Sequence, residues 1–281
     1  MSFLDRIRAC NTHDLSRYRP FLVDGVQVGH VRGDIAEAIR PYGDVFEVGE
    51  RTVTLSARLK TFAQRTDAVG GVLKQIANSG ILTAWRNEPY AVTRTFGAPA
   101  LFAIERAAVP PFGVRAYGVH MSGYVRKSAE FSCGIGRRSR SKPTYPGLLD
   151  NTVAGGMSYS MTARECLIKE CHEEAGIPEK WAARAAPVGA ITYCAETHEG
   201  LRRDVQFCYD LELPADFTPV CHDGELEELM LMPIDEVAAI VRDTERFKFN
   251  CNLVIIDFLV RHGLIGPDEP DYVAIVQGLH Q

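Results

Sequence analysis

The chain has 281 residues, of which 46% are hydrophobic and 24% charged, and its formal net charge is −5. That composition belongs to an ordinary soluble globular protein of one large domain or two modest ones. It excludes a strongly basic nucleic-acid-binding chain, although a local basic pocket stays open, and no apolar run approaches the length of a membrane span. The N-terminus, MSFLDRIRACN, mixes acids and bases without a signal-peptide core, so a cytoplasmic protein is expected. Eight cysteines contain no C-x-x-C pair. Cys133, Cys194 and Cys208 lie in apolar runs and read as buried thiols, with zinc or disulfides as the competing reading.

In chain order, residues 1–12 read as a short helix and 21–31 as a hairpin around Asp24-Gly25. A helical run over 34–40 precedes strands at 45–48 and 53–55. Residues 57–65 and 68–77 carry helical patterns, and 82–85, 90–94 and 101–109 read as strands. Pro110, Pro111 and Gly113 then mark a domain boundary, dividing an α+β domain (1–112) from a second domain (113–281). In the second domain, 114–125 and 131–139 read as strands, and 187–197 and 205–214 as strands joined by a charged loop at 198–204. A strand then leads to Pro233, a helix starts near Ile234, and 252–261 form an amphipathic helix. The residues from Gly266 onward read as a loosely packed tail. A mixed sheet between helices fits this pattern, an α/β class.

The most informative stretch is GGMSYSMTARECLIKECHEEAGI, from Gly155 to Ile177. Thr162 and Glu165 have capping-box spacing, so a helix should start at Ala163 and end before Gly176 and Pro178. Glu170, Glu173 and Glu174 then share one helix face, with Leu167, Ile168, Cys171 and Ala175 on the other. Clustered carboxylates repel one another, and a hard divalent cation relieves that cost. The two glycines, Gly155 and Gly156, permit a tight loop beside the helix. An incidental acidic surface helix is the bland alternative.

These residues resemble the Nudix hydrolases, whose box reads G-x5-E-x7-R-E-U-x-E-E-x-G-U, with U apolar. Gly155, Glu170, Cys171, Glu173, Glu174, Gly176 and Ile177 match in register, whereas Met161 replaces the first Glu and Lys169 the Arg. Lysine keeps the charge and loses the planar fork. Four further stretches, YPGLLDNTVAGG, ETHEGLRRDVQFCYDLELP, DGELEELMLMPIDEV and FKFNCNLVIIDFLVRHGLI, are similar to the Nudix group associated with thiamine pyrophosphokinase. The resemblance implies an α/β/α sandwich behind a smaller N-terminal domain. It also implies Mg²⁺-dependent hydrolysis (Mn²⁺ being an alternative ion) of thiamine diphosphate or its oxo and oxy forms. The other readings are hydrolysis of another diphosphate, such as ADP-ribose, a dinucleotide or a nucleoside triphosphate, and a non-catalytic diphosphate-binding module.

Within that reading, Glu170, Glu173 and Glu174 are the expected metal ligands, and Lys169 orients a box glutamate. Glu225 and Glu227 are the first candidates for a base or water-positioning carboxylate, and Glu196 and Glu199 the second. Arg137, Arg138, Arg140 and Lys142 are candidates to grip phosphates alongside Gly155 and Gly156, a charged surface turn being the competing reading. Arg202 and Arg203 are weaker candidates. His120, His172 and His198 are considered as catalysts, and Tyr193, Phe247 and Phe249 as stacking residues, with surface or core roles as the alternative for each. A small-molecule diphosphate is the expected partner, with neither nucleic acid nor membrane, and a homodimer is left open.

Overall fold

The structure, a computed structural model, describes residues 1–127, 130–142, 144–222 and 224–280. Helix α1 (Phe3–Ala9) is closed by a Ser2–Asp5 capping box. Its apolar face does not stay with the elements that follow it. Phe3, Leu4, Ile7 and Cys10 join the core of the second half, and Arg6 Nε donates to Val241 O at 2.8 Å. Helix α1 thus reaches across the division expected at 112/113, because its hydrophobic partners are distant in sequence.

Strands β1 (Tyr18–Val23) and β2 (Val26–Arg32) form the expected hairpin. After α2 (Gly33–Ile39), strands β3 (Phe46–Val48) and β4 (Val53–Leu55) complete a sheet ordered β2-β1-β4-β3. Helix α3 (Phe62–Asn78) is a single helix where the pattern suggested two, since a Thr61–Gln64 capping box sets its start. Residues 82–85 form no strand, and Ala84 and Asn87 adopt positive φ of 60° and 58°. Strand β5 (Pro89–Val92) pairs with β6 (Phe102–Glu105), and the expected strand over 101–109 stops there. Helix α4 (Val109–Phe112) holds both prolines, so the presumed linker is a buried wedge. A Cβ on Gly29 would lie 2.4 Å from Phe112 O, so only glycine lets β2 approach α4 this closely.

The second half runs β7 (Arg115–Lys127), β8 (Glu130–Arg138), β9 (Leu149–Asp150) and β10 (Val153–Gly156), then α5 (Ala163–Ala175) and α6 (Glu179–Ala182). Strands β11 (Ala186–Thr197), β12 (Gly200–Glu212) and β13 (Leu226–Pro233) follow, with α7 (Ile234–Asp243), α8 (Cys251–Arg261) and α9 (Tyr272–Gly278). The sheet path is β11-β12-β7-β8-β13, with β10 beside β7 and β9 beside β8. β12 and β7 are parallel and the other pairs antiparallel, giving a mixed sheet. Apolar residues of α5 and α6 pack on one face, and those of α1, α7, α8 and α9 on the other. This is the expected α/β/α sandwich behind an α+β N-terminal unit.

Two expectations for this half need correction. The charged loop at 198–204 shrinks to His198-Glu199, because β12 already starts at Gly200. Strand pleating then sends Arg202 and Asp204 to one face together. The tail is not loose: α9 packs against α1, and Ile275 and Leu279 are each 1% exposed. Its final residue, Gln281, lies outside the described residues.

Candidate active site

Helix α5 is built as its sequence predicts, from the Thr162–Glu165 capping box to Gly176 in the left-handed conformation at φ 63°. Cys166, Leu167, Cys171 and Ala175 are buried under it. Lys169 Nζ lies 3.2 Å from Glu170 Oε1 and 2.5 Å from Glu173 Oε2. Glu174 is buried and accepts a hydrogen bond from Ala154 N at 2.8 Å. Burial pushes the Glu170 carboxyl up, against the opposing charge of Lys169. Burial, with the charge of Asp150 adding to it, lifts Glu174 well above the usual carboxylate range. Burial works against the charge of Lys169, but its two carboxylate partners outweigh that and hold it protonated.

The three glutamates share a helix face, yet their oxygens do not converge within 4.8 Å of one another. Lys169 draws Glu173 aside, and the Ala154 amide holds Glu174. The remaining arrangement still fits a divalent cation. Glu170 and Glu174 each feel the charge of Glu225, so three carboxylates from two chain segments act on one region. Gly155 provides the cradle: a Cβ there would lie 2.2 Å from Glu170 Cγ and 2.6 Å from its Oε1.

Gly155 and Gly156 are not in a loop. They are the last residues of β10, paired with Val119 and Gly118 of β7. A Cβ on Gly156 would lie 1.8 Å from the hydroxyl of Tyr90, a buried residue of the N-terminal half. Missing side chains at two successive positions thus let Glu170 close from one side and Tyr90 from the other. Gly156→Ala is expected to cost about 1–3 kcal/mol by overpacking. Adding Tyr90→Phe should recover part of that loss, because the ring carbon behind the hydroxyl stands at 3.0 Å. Urea denaturation of the two single variants and the double variant measures the coupling.

A cavity of about 540 Å³ opens at these glycines. One wall belongs to the second half, with Ala154, Gly155, Gly156, Tyr117 and Arg202. The other belongs to the N-terminal half, with Arg86, Tyr90 and Arg106. Of the earlier candidates, His120, His198, Glu199 and Arg202 line it, and Arg137, Arg138, Arg140 and Lys142 do not. Arg137 pairs with Glu228 at 3.3 Å, and Arg138 is buried on Asp150 at 2.8 Å. Arg140 is exposed, and its backbone N–H donates to Glu227 at 2.8 Å. Lys142 pairs with Glu225. The phosphate grip expected of this charge run is therefore not placed at the cavity: none of the four cations lines it, three pair with nearby acids, and Arg140 faces solvent.

Glu225 is 45% exposed; burial raises its carboxyl, but the Lys142 contact and further positive charges leave it below its ordinary value. Glu227 is exposed and held by the Arg140 amide. Glu196 pairs with Arg17 at 2.7 Å, away from the cavity. Glu199 is 2.5 Å from Arg202. Arg203 reaches Gly113 O at 3.5 Å and does not line the cavity. His172 packs on His222 with ring centres 5.1 Å apart. Tyr193 is buried with its hydroxyl 2.6 Å from Asp204, and Phe247 and Phe249 pack in the core. The aromatic rings on the cavity are instead Tyr90 and Tyr117. Neither stood out in the sequence, where both are single tyrosines in ordinary strand patterns.

Behind the cavity, His120, Asp150 and Cys251 place one ligand-type atom each within 4.8 Å of one another. Asp150 already faces two cations, Arg138 at 2.8 Å and Lys248 at 3.7 Å, and Cys251 Sγ donates to it at 2.7 Å. A metal ion here would meet those positive charges; Asp150 is instead held by its two cations and Cys251, and His120 Nδ1 bonds Asn151 Oδ1 at 2.8 Å. Burial pushes His120 down to about 4, with the Lys248 charge adding to it, so the imidazole is neutral at pH 7. Burial raises the Asp150 carboxyl, but Lys248 and Arg138 outweigh it and hold the group well below its usual range. Its stabilising contribution is full above an unfolded pKa of about 3.9 and is lost as pH falls below that value. Asp150→Asn is expected to cost about 3–5 kcal/mol at pH 7, because it strands buried cations. The gap to the native chain should narrow below about pH 4 in chemical denaturation.

Residues 2–116 match a family described as a domain of unknown function, DUF4743, and residues 128–252 match the NUDIX domain. Nudix hydrolase 20, chloroplastic, of Arabidopsis thaliana is 43% identical over 288 residues, covering 99% of this chain and 77% of that protein. Nudix hydrolase 24, chloroplastic, of the same plant is 43% identical over 281 residues, with the same coverage. An uncharacterized protein of Saccharomyces cerevisiae is 32% identical over 258 residues, covering 85% of this chain and 75% of that one. The cytoplasmic expectation is overturned by the two plant relatives, which are chloroplastic. Among the described residues, no helix is long and apolar enough to cross a membrane. The capped helix with its glutamates, the glycine cradle and these relatives together show that the chain belongs to the Nudix hydrolases, pyrophosphohydrolases acting on diphosphate substrates.

Proposed function

We propose that this Nudix hydrolase cleaves thiamine diphosphate or its oxo and oxy forms to the monophosphate and phosphate. The observation that carries the reading is the cavity that ends at Gly155, where Glu170 closes on the backbone. In this reading a diphosphate would lie against Gly155, on whose other side Glu170 of α5 packs. Glu170 and Glu174 would hold Mg²⁺, with Glu173 joining once released from Lys169. The bound ion would neutralise the diphosphate oxygens and lower the pKa of a coordinated water.

In the proposed reaction, a water oxygen bonds to one phosphorus, the bridging P–O bond breaks, and the leaving phosphate departs in line. Glu225, kept ionised, accepts or orients the water proton. Lys169, still paired with Glu170, would hold that carboxylate in place. The thiamine assignment is supported by the four stretches that resemble the thiamine pyrophosphokinase-associated group. It is also supported by the cavity wall, where Glu199, Asp204 and the Tyr117 ring suit a flat cationic heterocycle. We take 1–112, apart from its first helix, as the N-terminal domain and 113–281 as the hydrolase domain.

The test is phosphate release with Mg²⁺ from thiamine diphosphate, its oxo and oxy forms, ADP-ribose, NADH and nucleoside triphosphates. The reading expects preference for the thiamine compounds, measured as kcat/KM. Preference for ADP-ribose or a nucleotide overturns the substrate and leaves the hydrolase.

A further inference from the structure

We propose that the N-terminal domain supplies a diphosphate-binding arginine, Arg106, to the hydrolase site. Arg106 and Arg202 converge on one cavity from the two halves of the chain. The charge of Arg202 acts on the Arg106 guanidinium. Two cations brought to one cavity can hold a multiply charged anion between them. Each also carries its own acid: Glu88 bonds Arg106 at 2.7 Å, and Glu199, which itself lines the cavity, bonds Arg202 at 2.5 Å, with Asp204 3.5 Å away. Arg106 remains 49% exposed, with donors left for a ligand. Its charge also acts on Glu225, helping to hold that carboxyl below its ordinary value.

The segment that carries this group is built with care. The Glu105 carboxylate, 9% exposed, accepts from the backbone N–H groups of Arg86 at 2.8 Å and Glu88 at 3.1 Å. It thereby fixes a stretch in which Ala84 and Asn87 hold left-handed conformations that cost residues with a Cβ. That stretch delivers Glu88, the clamp on Arg106, and Arg86, a further cation on the cavity. Tyr90 sits beneath, with the Arg106 guanidinium carbon 5.9 Å from its ring centre and its hydroxyl against Gly156. The N-terminal domain is thus seated on the hydrolase strand at the point where a diphosphate would lie.

This inference rests on the diphosphate-hydrolase reading. Its test measures binding of methylenediphosphonate, a non-hydrolysable diphosphate, and of methylphosphonate to the full chain with Mg²⁺, beside KM for the best diphosphate substrate. Arg106→Met is expected to weaken diphosphonate binding about tenfold or more, and methylphosphonate binding less. Arg106→Lys, which keeps the charge without the fork, should lose about threefold to tenfold and decides the matter if Arg106→Met fails to fold. Arg58→Gln, an exposed N-terminal arginine away from the cavity, should leave both unchanged. Wild-type affinity in Arg106→Lys and Arg106→Met, with the native chain binding diphosphonate, overturns the role of Arg106 and leaves the hydrolase reading standing. A native chain that neither binds diphosphonate nor hydrolyses any diphosphate overturns both.

Discussion

Glu174→Gln is expected to lower kcat/KM for a diphosphate by about a thousandfold, while the protein melts at or above the native temperature. The chemistry needs anionic oxygens on the α5 face, and a cation held there supplies several kcal/mol of transition-state stabilisation, equivalent to about 10³ in rate. Glutamine removes the charge. It keeps a carbonyl oxygen that can accept from Ala154 N, the hydrogen bond that fixes this side chain. Burying an isolated carboxylate is costly, so removing its charge at a site that is 5% exposed should not weaken the fold. Activity and stability are thereby separated. Phosphate release at saturating Mg²⁺ and calorimetric melting check the two halves, and retained turnover in Glu174→Gln would sink the assignment of this residue to the metal.

Gly155→Ala should reduce hydrolysis about a hundredfold and destabilise the fold by about 1–3 kcal/mol. The backbone at Gly155 is ordinary strand, so alanine adds no conformational strain there. The effect is steric and local: the new methyl would stand 2.2 Å from Glu170 Cγ, and Glu170 has to leave the strand surface. A carboxylate displaced by an ångström no longer meets the same cation geometry as its neighbours. Mg²⁺ dependence of kcat should shift to higher concentration in the variant, measured by titrating the metal at fixed substrate. An unchanged Mg²⁺ midpoint would mean that Glu170 is not positioned by this contact.

Much of the chemistry was legible because it is written in short range. A capping box, an i, i+3, i+4 carboxylate face and a terminal glycine all act within four residues, and α5 forms as those residues predict. The hairpin at Asp24-Gly25 was readable for the same reason. Charge runs were a poor guide. Arg137, Arg138, Arg140 and Lys142 looked like a phosphate grip, yet Arg138 is neutralised by Asp150 from another strand and Lys142 by Glu225. Conversely, Arg202 lay in what looked like a surface loop until strand pleating turned it into the cavity.

The sequence by itself determined the hydrolase helix, its glutamates, the mixed sheet between helices and an N-terminal unit of separate character. Tertiary structure alone decided where the substrate space lies and who lines it. Tyr90 and Arg106 meet Gly156 and Arg202 because the buried α4 wedge and strand β12 fit against each other through Gly200, where a Cβ would lie 2.4 Å from Pro110 O. Helix α1 left its own half because its short apolar face found α7, α8 and α9. Such pairings join residues tens to hundreds of positions apart. Their energy comes from burial and close packing, which no local pattern encodes.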